Sequence, residues 1–204
     1  MRDSDLKFLC DPYTEQPVYL EGSTVCTVAA TGRHPVRDGV SVFAATVGGA
    51  TARYQRLYDR LSSFYDSALA LARWWMGDFR CDYLQELEIK SGHNVLEVSV
   101  SKGDNLPHLR EDIRFTGIDI SWKMLRRARR NVRRWGREAD LFQGGERLPF
   151  RTSVFEVVFH VGGIDFLDDP GQAIQDARAF SESPDARNTA RSLGSCTNAR
   201  CPLP

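Results

Sequence analysis

The residues with chemistry to offer gather between positions 94 and 119, in the stretch NVLEVSVSKGDNLPHLREDIRFTGID. Glu97 lies in a short apolar run, Val95-Leu96-Glu97-Val98, and Asp119 closes a second run that contains Phe115, Gly117 and Ile118. Between them comes a turn of small residues, Ser99-Val100-Ser101-Lys102-Gly103-Asp104. A turn with little Cβ bulk lets backbone N–H groups approach a ligand, and a helix N-terminus behind it adds a favourable dipole. An acid at the tip of the second strand can accept both hydroxyls of a ribose. The pattern predicts strand, tight loop, helix and strand, the first βαβ unit of a nucleotide-type site.

Spacing narrows the ligand. The small positions are 99, 101 and 103, an E-x-S-x-S-x-G pattern. Dinucleotide enzymes use G-x-G-x-x-G, whose third glycine packs the helix on the strand, so an NAD oxidoreductase fits less well. If position 99 or 101 requires positive φ, a serine there costs about 1 kcal/mol more than glycine.

Other elements must hold this unit. From Arg53 the apolar residues Tyr54, Leu57, Tyr58, Leu61, Phe64, Tyr65, Ala68, Leu69 and Ala72 recur at helical spacing, and Trp74-Trp75-Met76 with Leu84 and Leu87 continue that cover. Such an aromatic stripe is by default a buried face. After Asp119, Ser121 is a helix N-cap, and Met124, Leu125, Ala128 and Val132 form the buried stripe, with Trp135 a candidate to join it. Seven arginines between 126 and 137 read as a solvated outer face rather than a nucleic-acid surface, because the chain has formal net charge 0. Ala139–Gln143 reads as a third strand, and the Val157-Val158-Phe159 run suits a fourth strand buried on both faces. His160 closing that strand is equally a ligand-facing or a satisfied structural histidine.

The 204 residues, 42% hydrophobic and 26% charged, suit one globular domain plus an appendage. The 23 arginines against 4 lysines read as genome composition. Five scattered cysteines (10, 26, 81, 196, 201) give no disulfide framework. No signal peptide or run of about 20 apolar residues is visible, so a cytoplasmic location is expected. Residues 6–43 read as a β-rich module: a strand over Leu6–Pro12, short strands at Pro17–Leu20 and Ser23–Cys26 around Glu21-Gly22, and a hairpin with an Asp38-Gly39 turn.

The E-x-S-x-S-x-G turn resembles the first motif of class I S-adenosylmethionine-dependent methyltransferases, usually E/D-x-G-x-G-x-G, with two glycines replaced by serine. Asp119-Ile120-Ser121-x-x-Met124-Leu125 resembles that family's "GxDxSxxML", Gly144–Phe150 its "GDAExLPF" loop, and Phe155–Phe166 its "FDVVFHVGGINF". Tyr58–Asp66 resembles the helix preceding the core of quinone C-methyltransferase-like enzymes. The resemblance spans about residues 53–175 and implies an α/β, Rossmann-like doubly wound and mostly parallel sheet of about four strands, with S-adenosylmethionine as cofactor and no metal. It implies that Glu97 holds the methionine amino group, that the Ser99, Ser101 and Gly103 backbone lines the methionine moiety, and that Asp119 holds the ribose. Ser121, Met124, Glu146 and Tyr58 join the cofactor set, while His160 and Asp165 are candidates to orient a substrate or take a proton. Gly145 stands where the family's adenine-binding acid falls. The implied acceptor is a small molecule, quinol-like or lipid-like.

His34-Pro35-Val36-Arg37-Asp38-Gly39 resembles the ending of short zinc-ribbon domains fused to, or partnering, methyltransferases. There two Cys-x-x-Cys pairs hold zinc; here Cys10 and Cys26 remain, Tyr13 replaces one partner, and His34 replaces an aromatic residue. Two thiols are too few for a tetrahedral site, so a degenerate ribbon held by apolar contacts is expected. The expected organisation is 1–46 β module, 47–180 partial methyltransferase domain, and 181–204 a disordered tail that lacks Val, Ile, Phe, Tyr and Trp. After the expected helix at 172–180, the family's Lys-Pro-Gly-Gly strand does not follow, and a frame change near 176–180 would account for it. The fourth strand would then be a bare sheet edge, which a second copy or a partner could cover. The alternative reading is a catalytically impaired remnant acting as a binding partner.

Overall fold

Five residues, Asn94–Val98, form the strand on which the rest of the fold is arranged. The computed structural model describes residues 3–29, 32–43, 84–144 and 147–161. The expected helix at 53–72 with Tyr58, the residues Glu146 and Asp165, the helix at 172–180 and the tail lie outside the described residues.

The strands are β1 (Val18–Glu21), β2 (Thr24–Thr27), β3 (Arg33–Arg37), β4 (Val40–Val42), β5 (Asn94–Val98), β6 (Arg114–Asp119), β7 (Asp140–Gln143) and β8 (Val157–His160). They form one sheet in the order β1-β2-β3-β4-β7-β6-β5-β8. The β4-β7-β6-β5-β8 part is parallel, with Glu97 opposite both Gly117 and Phe159. The β1 to β4 part is antiparallel. β6 and β8 flank β5 on opposite sides, so the strand order reverses at β5, the place where doubly wound sheets bind ligands.

Periodicity explains why these strands hold. Val95 and Leu96, Leu141 and Phe142, and Val157 and Val158 each divide between two buried clusters. Alternate side chains leave a strand on opposite faces, so both faces of the parallel part are covered. On one face the helix α1 (Trp122–Arg134) packs Leu125, Ala128 and Val132 against Val95, Phe115 and Leu141. Leu84 and Leu87 are buried in the same cluster, and Trp135 packs against it. On the other face Leu9, Val18, Val25 and Phe43 of the N-terminal strands meet Leu96, Ile118, Phe142, Phe150 and Phe155. Edge-to-face contacts at 5.4 Å (Phe142–Phe150) and 5.1 Å (Phe150–Phe155) each add about 0.5–1.5 kcal/mol beyond burial.

The β-rich module expected at 6–43 is thus part of the same sheet, joined through Ser41↔Phe142 and Val42↔Gln143. Its Asp38-Gly39 turn has φ of 50° and 76°, the doubly positive turn that suits hairpin twist. Two expectations are corrected. Leu6–Phe8 is the end of a 3-10 helix (Asp3–Phe8) rather than a strand; only Leu9 and Cys10 make bridges, to Phe150 and Pro17. The helix expected behind the Ser99–Asp104 turn is a three-residue 3-10 helix, Leu106–His108. Pro107 donates no hydrogen bond, and β6 begins at Arg114, so little chain is left for an α-helix.

Candidate functional site

The C-terminal ends of β5, β6, β7 and β8 lie along one edge of the sheet, because the four strands are parallel and in register. That edge brings together Glu97, Ser99, Ser101, Gly103, Asp119, Ser121 and His160 from three separate stretches of sequence.

The turn after β5 supplies the tightest geometry. Ser99, Ser101 and Gly103 have φ of 61°, 52° and 77°. All three small positions are left-handed, so the two serines sit where only glycine is free of penalty. Hydrogen bonds within the turn and to its neighbours hold it, among them Asn131 Nδ2 donating to Lys102 O at 3.0 Å. The Val100 N–H donates to Ile118 O at 3.0 Å, and the Gly103 N–H donates to Val100 O at 2.9 Å. The Ser101 N–H donates to Asp119 Oδ2 at 2.7 Å. Val100 seats on β6 because position 117 has no side chain; a Cβ there would lie 2.8 Å from Val100 Cγ2.

Asp119 is the hub of the edge. Its Oδ1 accepts the Ser121 N–H at 2.8 Å while its Oδ2 accepts that of Ser101. One carboxylate therefore ties the β5 turn to the start of α1. Ser121 caps that helix, its Oγ accepting the Met124 N–H at 3.3 Å. Met124 itself is buried one turn into α1. At the end of β7 the Gln143 Nε2 donates to Ile120 O at 3.0 Å, and the Gly144 N–H donates to Asp119 O at 3.2 Å. Gln143 is a site residue that the sequence reading missed.

Glu97 is 2% exposed and leaves β5 on the same face as Val95, toward α1 and Leu106. Its Oε1 accepts from Asn105 Nδ2 at 2.6 Å. Asn105 was also missed; an Asn six residues past the turn's first serine is indistinguishable in sequence from an ordinary helix cap. His160 is 8% exposed at the end of β8, directly opposite Val98 across the reversal in strand order.

Two other sequence features resolve differently. Arg137 is not part of a solvated face. Its guanidinium donates to the carbonyls of Leu106 (3.1 Å), Leu109 (3.2 Å) and Arg110 (2.6 Å), closing the 3-10 helix after Asn105. Arg126, Arg130, Arg133 and Arg134 do lie on the exposed face of α1. In the N-terminal strands, His34 Nε2 and Asp11 Oδ2 lie 2.8 Å apart, both residues buried. Asp11 Oδ1 accepts the N–H groups of Tyr13 and Thr14, each at 2.9 Å. Burial pushes the Asp11 carboxyl up, but the His34 ring and these N–H groups outweigh it and bring it below its ordinary value. The module is thus held by a polar staple as well as by apolar contacts. The Asp-Pro-x-Thr string of an Asx turn was the available signal. Cys10 and Cys26 are buried free thiols with separate neighbours, Phe150 O at 3.2 Å and Glu21 Oε2 at 3.7 Å. Burial pushes the Cys10 thiol up to about 11. Among the described residues no group of three or more His, Cys, Asp or Glu side chains could hold a metal ion.

Residues 95–182 match the family model described as a methyltransferase domain. No curated protein matches the chain. Among solved structures, the [4+2]-cyclase SpnF is similar at 18% identity and TM-score 0.59, over 67% of this chain and 58% of its own. A chain of the complex formed by the Haloferax volcanii Trm112 methyltransferase activator is similar at 17% identity and TM-score 0.50, over 67% of this chain and 57% of its own. The YcgJ protein from Bacillus subtilis is similar at 19% identity and TM-score 0.48, over 50% of this chain and 46% of its own. The chain thus spans about half the length of such relatives.

Proposed function

From the methyltransferase domain of residues 95–182, of class I α/β fold, we propose that this chain binds S-adenosylmethionine at the C-terminal edge of β5 and β6 and transfers its methyl group to a small-molecule acceptor. The observation that carries the reading is the pairing of a buried Glu97 with a left-handed turn tied to Asp119.

The residues present fit the cofactor. An ionised carboxylate offers about four lone-pair directions. Asp119 accepts a backbone N–H on each oxygen, which fixes its carboxylate at the tip of β6, where it would receive the ribose hydroxyls. Glu97 would receive the ammonium of the methionine end, and the backbone of Ser99, Ser101 and Gly103 would line that end closely. Ser121 and Met124 would complete the wall below the ribose. Tyr58 and Glu146 are proposed as further cofactor contacts. When bound, S-adenosylmethionine supplies an electrophilic methyl group on a sulfonium. The protein's share is positioning the acceptor in line and excluding water. His160, at the reversal of strand order, would orient the acceptor or take its proton, with Asp165 as second candidate. We propose a quinol-like or lipid-like acceptor and a cytoplasmic location. No helix among the described residues is long and apolar enough to cross a membrane. Among the described residues β8 ends the sheet order, and we propose that a second copy or a partner covers that edge.

Calorimetric titration of the purified chain with S-adenosylmethionine and S-adenosylhomocysteine tests the reading. A Kd tighter than about 100 μM, or about −5.5 kcal/mol, is expected. No heat and no shift in Tm from a folded protein would overturn it.

A further inference from the structure

One buried polar group at the edge has no task in the reading above. Asn105 is 6% exposed. It stands just before the 3-10 helix Leu106–His108, where an Asn side chain normally caps, yet it makes no cap hydrogen bond. Its amide is turned to Glu97 instead, with Nδ2 donating to Oε1 at 2.6 Å. An ionised carboxylate only accepts, so this contact fixes which end of the amide faces Glu97. The other end, Oδ1, is buried and accepts no hydrogen bond among the described residues. A buried amide oxygen without a donor carries the full penalty of its desolvation. The penalty is removed when a donor arrives.

We propose that Asn105 is a specificity-determining residue whose Oδ1, together with the Glu97 carboxylate it holds, receives the primary ammonium group of the ligand. The inference rests on the cofactor reading and sharpens it. It assigns the amino-acid end of the ligand to two acceptors, one charged and one neutral, on the β5 strand and the segment after its turn. A tetrahedral ammonium has three N–H donors and can serve both acceptors at once. A ligand with the same nucleoside and thioether but no amino-acid end would leave Oδ1 unsatisfied and gain nothing from Asn105.

The test compares two probes by calorimetry on the full chain. S-adenosylhomocysteine carries the ammonium, and 5′-methylthioadenosine lacks the whole amino-acid end. Asn105→Leu keeps the volume and removes both the donor and the acceptor. It is expected to weaken S-adenosylhomocysteine about tenfold or more and to leave 5′-methylthioadenosine within about twofold, a tenfold change being one hydrogen-bond-sized step. Equal weakening of both probes, or of neither, would overturn the proposal. Should Asn105→Leu fail to fold, Asn105→Asp supplies the readout. Two adjacent carboxylates share a proton, so S-adenosylhomocysteine binding should tighten as pH rises from about 5 to about 8, while 5′-methylthioadenosine binding should not. A flat profile for both probes would also overturn it. Failure of the wild-type chain to bind either probe would instead overturn the cofactor reading itself.

Discussion

The turn at Asp11–Thr14 and the turn at Ser99–Gly103 both stand where the resembling families keep specialised residues, thiols in the first and glycines in the second. In the first, the resembling ribbons use side chains, and here side chains of other chemistry hold the turn. Asp11 is met by His34 and two backbone N–H groups, and Gly32 leaves room for the pair, since a Cβ there would lie 2.5 Å from Asp11 Oδ2. In the second, the resembling motif uses backbone freedom. Ser99 and Ser101 have the left-handed φ that suits glycine and bear its strain. A side-chain role can be reassigned to other chemistry; a backbone conformation is retained because the strands and Asp119 on either side dictate it.

The contrast can be broken most forcefully at Asp11. Asp11→Ala leaves the buried His34 ring without its partner and should cost about 3 kcal/mol by urea unfolding, within the range for removing one member of a buried pair. A loss near zero would mean that the staple does not hold the N-terminal strands. The pH dependence carries a sign. Because the folded-state carboxyl lies below its ordinary value, its stabilisation is fully present above about pH 4 and is lost as pH falls through the lowered value. Asp11→Asn should flatten that acid limb of the stability curve. Next in size, Gly117→Ala places a Cβ 2.8 Å from Val100 and should cost about 1–3 kcal/mol by overpacking. It should also weaken S-adenosylhomocysteine binding, because Val100 carries the turn.

Smaller still, Ser99→Gly with Ser101→Gly should raise stability by about 1 kcal/mol in total, the relief of strain being offset in part by the freer unfolded chain. Ser153→Gly, at φ 55° away from the site, is the control for backbone relief alone. An unchanged double variant would show that the turn is not strained. The smallest effect is chemical. With its thiol pushed up to about 11, Cys10 should be alkylated by iodoacetamide at pH ~8 far more slowly than an ordinary exposed cysteine. Mass spectrometry of the modified peptide reads this directly.

Much of the parallel sheet was legible because its signals are local. Apolar runs bounded by small residues mark β5, β6 and β8, and Ser121 with a 3.6-residue stripe marks α1. The Asp38-Gly39 hairpin was legible for the same reason. What escaped depends on partners far away in sequence. Leu6–Phe8 looks like a strand until Phe150 is found opposite Leu9 alone. Asp11 and His34 lie 23 residues apart and look like unrelated turn residues. Within the site, Glu97 and Asp119 were visible as acids at strand tips. Asn105, Gln143 and the anchoring role of Arg137 were not, because each acts through a hydrogen bond across elements.

The parallel joint between β4 and β7 also sets a schedule for synthesis. Ser41 is complete about a hundred residues before Phe142, the residue it pairs with. At about 5–20 residues per second, the first strands wait roughly 5–20 s for the edge they join. During that wait Val25 and Phe43, both buried in the finished molecule, have no sheet to rest on. Until the parallel strands are made, the nascent chain carries these apolar side chains without their partners Leu96, Ile118 and Phe142.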